Sequence, residues 1–246
     1  VCLLVWFFVR GGSDAPTTRP SETPSTVVPT EQPTEEPSVP PATPTEQPIG
    51  TTTPRPTPPQ LNGTGGCHNK HPDTEMPQVA PPAVTWQFEA DMLIPLQEAA
   101  GPAVTSPSGV HSCFAHSPTG AVLATMVMLG QVLNPRITDE VLTTRVMPGP
   151  GRTKALAAAA RELASPGEKT QVQFAGFKIF LYQQNLAIIQ VASELNHQAV
   201  ASMPVTMRWT GSDWKAVLQD DGTFNGHVEP DVLQSLDGYV RFSGAQ

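Results

Sequence analysis

Six side chains able to bind metal or do thiol chemistry stand in two short runs. Cys67, His68 and His71 lie in "GGCHNKH", and His111, Cys113 and His116 lie in "HSCFAH". Thiolate and imidazole are good zinc ligands, so the six could together furnish a metal site. The same two cysteines could instead join as one disulfide, the simplest use of a cysteine pair outside the cytoplasm. The spacing fits no standard structural zinc pattern, and extracytoplasmic thiolates oxidise first. The disulfide is therefore the expectation and the metal site its alternative. Closing a loop with 45 residues between its ends would contribute about 4 kcal/mol by chain entropy. A Cys113–His116 nucleophile pair is a weaker idea, because no orienting Asp or Asn is identifiable. No catalytic residue and no cofactor is assigned.

These runs must be held by a folded region. "HSPTGAVLATMVMLGQVLNP" (116–135) reads as a helix: Ser117 can cap it, Pro118 suits its first turn, and Asn134-Pro135 ends it. Its Ala, Val, Leu and Met residues leave almost no polar face, and a helix apolar all round is buried. Residues 138–146 form a shorter helix stopped by "PGPG", and "TKALAAAARELA" (153–164) a third. Trp86 to Leu96 reads as one extended segment and 100–109 as a loop. After Lys169 the apolar period becomes two. Strands are expected in 170–183, with a bulge at Ala175-Gly176, and in 186–195, 198–209 and 213–219. The fold class is α+β: helices packed on a curved, cone-like, four-stranded antiparallel sheet after a disordered Pro/Thr-rich linker.

The rest of the chain is unlike a globular domain. Residues 11–60 hold fourteen prolines and twelve threonines and no Phe, Trp or Tyr. Such a segment buries too little apolar surface to offset its ordering entropy. It should span about 40 Å as a coil and about 150 Å as polyproline II. Residues 1–9 are uniformly apolar and stop at Arg10. They read as the end of a transmembrane anchor, with Trp6 and Arg10 suited to the membrane–water boundary; a cleaved signal peptide is the alternative. The expected organisation is 1–10 truncated anchor, 11–66 spacer and 67–246 extracytoplasmic domain, placing the protein at the cell membrane with a single pass. The formal charge is −8. With no Lys/Arg cluster among aromatics, nucleic acid is not an expected partner.

Two stretches, "CFAHSPTGA" (113–121) and "RWTGSDWKAVL" (208–218), resemble motifs of actinobacterial membrane-anchored proteins with an extracytoplasmic domain of unknown function. The second also resembles the end of the nuclear-transport-factor-two-like fold used by scaffold proteins of conjugation and type IV secretion. The resemblance implies no catalytic residues. It implies partners among other proteins of an envelope complex, such as a conjugative-element transfer apparatus. On the residues themselves, Trp209 and Trp214 can close one end of a sheet, and Asp213 can stabilise the turn between them. The sheet interior carries no paired carboxylates, which counts against an enzyme. The leading expectation is a non-enzymatic protein-binding domain. The first alternative is a small-molecule or cell-wall-ligand module whose hydrophobic cavity is lined by Met126, Phe174 and Met207, near Trp209 and Trp214. The second is a metal enzyme at the Cys/His cluster.

Overall fold

The computed structural model describes residues 64–165, 170–226 and 228–244. The anchor expected at 1–10 and the spacer as far as residue 63 lie outside the described residues. Among the described residues no helix is long and apolar enough to cross a membrane.

A 3-10 turn, Gly66–His68, opens the described chain. There follow β1 (Thr85–Glu89), β2 (Met92–Leu96), β3 (Val104–Thr105), β4 (His111–Ser112), α1 (Pro118–Val132), α2 (Thr138–Arg145) and α3 (Pro150–Ala164). The second half carries β5 (Val172–Gln183), β6 (Leu186–Leu195), β7 (Ala199–Trp209), β8 (Trp214–Val217), β9 (Asp231–Leu233) and β10 (Val240–Arg241).

α1 is the axis of the core. The Ser117 hydroxyl accepts the Gly120 amide proton at 3.0 Å, and Pro118 supplies a residue that needs no acceptor. Every residue from Gly120 to Val132 is buried. At Gly130 the helix comes so close to β2 that an added Cβ would lie 2.3 Å from Ile94 Cγ2. α2 turns Val141 and Leu142 into the same core. α3 buries only Gly151, Ala155 and Ala159. It begins at Pro150, inside the "PGPG" read as a stop, because proline at the first helical position is already set for the helix.

The α+β class stands, but the four-stranded sheet does not. The sheet has six strands in the order β10-β5-β6-β7-β8, with β9 on β7, all antiparallel. The four expected strands form its meander, and the expected bulge falls between Phe174 and Gly176. β8 pairs only with residues 206–209 of β7, and β9 covers the same strand at 200–202. β10 pairs with Gly176 and Phe177 of β5. These two additions are three and two residues long, too short for an alternating pattern. Nor do helices simply precede strands. Trp86 to Leu96 is a hairpin rather than one extended segment; it reverses at Ala90-Asp91, with Ala90 at φ 53°. The 100–109 loop contains β3, paired with β4.

Candidate functional site

Cys67 and Cys113 form a disulfide. The backbone prepares the join. Gly66 N–H donates to Ala99 O at 3.1 Å, while the Cys67 and Ala103 amides both donate to Cys113 O, at 3.2 and 3.1 Å. Gly66 has φ +56°, and a Cβ there would lie 2.1 Å from that carbonyl oxygen; glycine is required. The bond thus pins an irregular arm, residues 64–84, to the body just ahead of α1.

The six candidate metal ligands do not converge. Ligand atoms of Cys67, His68 and Cys113 lie within 4.8 Å of one another, but both sulfurs are spent in the disulfide. His71 is exposed on the arm. The His111 ring lies 3.0 Å from Thr105 Oγ1. His116 stacks on Trp209 with ring centroids 4.2 Å apart and donates from Nε2 to Gln184 O. The disulfide also removes the thiol that a Cys113–His116 nucleophile pair would need.

Behind the disulfide lies a buried charge node. The Asp213 carboxylate accepts the amide protons of Cys113 (2.6 Å), Phe114 (3.0 Å) and Trp214 (2.8 Å). It also accepts from Arg145 Nη1, whose Nη2 donates to Trp214 O at 2.9 Å. Arg145 and Asp213 are 2% and 7% exposed. Here the anion is held by three backbone amides from two distant segments, so its lone pairs are committed to structure. Arg145 additionally lies over the Phe114 ring at 5.4 Å.

A second polar chain runs alongside. His111 N–H donates to Gln131 Oε1 at 2.9 Å, and Gln131 Nε2 donates to Glu89 and to Gly109 O. Asn134 completes the Glu89 carboxylate. The His111 imidazole is buried, its Nε2 without a partner. Burial first, and then the Arg145 charge, hold its pKa down at about 4, so it is neutral at pH 7. Near the surface, Glu140 accepts from Ser106 and Ser108, and those bonds lower its pKa.

The residues expected to line a cavity are core. Met126, Phe174, Met207 and Trp214 are buried, and Trp209 is half-buried. Trp214 Nε1 donates to Ala115 O at 2.9 Å. The void beside Phe174 measures about 10 Å³, at most one water's worth of space. His197 is exposed at the turn between β6 and β7 and faces Glu194 at 3.2 Å.

Space of ligand size lies elsewhere, between the pinned arm and the body, in a groove of about 490 Å³. Asp73, Glu75, Met76 and Val79 form its arm wall; Ala99, Ala115 and Thr119 belong to the body wall. Beyond Cys67, His68 and His71 this arm carries no readable signal, because "NKHPDTEMPQVAPP" has neither a helix nor a strand period. Gln131 carried a readable signal, as a large polar side chain in an otherwise apolar helix.

Residues 47–241 match the family described as Domain of unknown function (DUF8175). The match covers most of the chain, and the chain belongs to that family. It begins inside the proline-rich stretch and ends at β10, so the arm, the disulfide and the groove all fall within it. Comparisons with curated proteins and with solved structures gave no match.

Proposed function

We propose that this chain is a non-enzymatic, extracytoplasmic protein-binding domain carried on an N-terminal membrane anchor and a Pro/Thr-rich spacer. The observation that carries the reading is the Cys67–Cys113 disulfide, which belongs to an oxidising compartment and fixes an irregular arm as one wall of an open groove. The convergent charged groups support binding over catalysis. Asp213 and Arg145 are buried and bonded to backbone, and His111 is enclosed. Phe88 and Phe180, 74% and 68% exposed, offer further apolar contact surface.

Kinship with scaffold proteins of actinobacterial conjugation machines belongs to this reading and rests on the motifs at 113–121 and 208–218. Partners are then other proteins of an envelope complex. The test is the redox state of Cys67 and Cys113 in growing cells, by alkylation before and after reduction. Full protection before reduction is expected; two reactive thiols would remove the basis of the reading.

A further inference from the structure

We infer that the groove between the arm and the body docks an extended peptide segment bearing a lysine or arginine next to apolar residues. The inference rests on the protein-binding reading above and names the partner chemistry. A space of about 490 Å³ takes a few residues of extended chain. Its arm wall places the exposed carboxylates of Asp73 and Glu75 beside the exposed apolar side chains of Met76 and Val79. Among the described residues lining the groove none is basic. Both carboxylates are exposed, and Asp73 Oδ1 only accepts the Glu75 amide. They give the wall a negative potential that favours a cationic partner.

The body wall offers complementary backbone chemistry. Thr119 lies in the first turn of α1, where amides have no intrahelical acceptor; the Ser117 hydroxyl takes the Gly120 amide instead. The Thr119 amide has no acceptor within the helix and can donate to a peptide carbonyl. Pro72, Pro77, Pro81 and Pro82 stiffen the arm, and the disulfide anchors its start. A pre-formed wall loses little entropy when a peptide is ordered against it.

The experiment is selection of a displayed random hexapeptide library on the oxidised full chain in detergent, followed by synthesis of the strongest binders. Expected binders carry Lys or Arg flanked by apolar residues. The double variant Asp73→Asn with Glu75→Gln should weaken them roughly 3- to 10-fold, the range for two exposed ion pairs. Ala99→Arg, which sets a cation in the groove from an exposed position, should weaken them more than 10-fold. Unchanged unfolding temperatures in these surface variants keep the comparison clean. No enrichment, an acidic consensus, or self-association abolished by Ala99→Arg would overturn the inference. Binders indifferent to these substitutions would overturn the groove yet leave the protein-binding reading intact. Free cysteines in cells would instead remove the reading itself.

Discussion

Replacing Asp213 by Asn, and separately Arg145 by Met, should destabilise the fold by different amounts, with Asp213→Asn the worse. Asp213→Asn keeps the shape but leaves Arg145 as a buried cation with one described acceptor, Trp214 O, and with its Nε already unpartnered. It also puts an amide nitrogen where a carboxylate accepted backbone protons. Breaking a buried pair from one side costs about 3–5 kcal/mol. Arg145→Met leaves the Asp213 anion, but three amide donors still hold it, and charge-assisted bonds of that kind contribute about 1.5–3 kcal/mol each. A cost of roughly 1–3 kcal/mol is therefore expected, softened by methionine packing on Phe114. Urea unfolding of the oxidised chain at pH 7 gives both values. In melting temperature Asp213→Asn should appear as a drop on the order of 10 °C. Equal costs, or a larger one for Arg145→Met, would refute the claim that the backbone amides, rather than the guanidinium, are the principal hold on the anion.

His111 makes stability depend on acidity in a defined window. Above pH 6.5 the imidazole is neutral in folded and unfolded chains. Between 6.5 and about 4 the unfolded chain takes up a proton that the folded one refuses. Stability should therefore fall with pH, by about 3 kcal/mol in total; His111→Asn should flatten that limb in a urea series from pH 7.5 to 4. Gly130→Ala, despite its better helix propensity, should destabilise by about 1–3 kcal/mol through overpacking against Ile94, measured by the same unfolding assay.

How much could be read in advance depended on whether the cause was local. α1 declares itself through Ser117-Pro118 at one end, Asn134-Pro135 at the other and an almost wholly apolar run between. The meander β5–β8 shows in its two-residue period, and the Ala175-Gly176 bulge in its glycine. The disulfide followed from cysteine count and compartment. The β1–β2 reversal was hidden because Ala90, not glycine or asparagine, holds the positive φ. β9 and β10 exist only because β7 and β5 leave edges for them, which is tertiary information. Asp213 read correctly as a turn residue through its bond to the Trp214 amide. Its partners at Cys113, Phe114 and Arg145 lie 68 to 100 residues away, beyond any spacing rule. The groove was illegible for a related reason: a proline-rich arm becomes a wall only once a disulfide pins it.

We propose an oxidised, arm-stapled head outside the membrane, and labelling intact cells with a membrane-impermeant maleimide is its sharpest probe. Cys67 and Cys113 should stay unlabelled until an impermeant reductant is added, and both should label afterwards. Labelling that requires cell lysis, or that occurs without reductant, would contradict it.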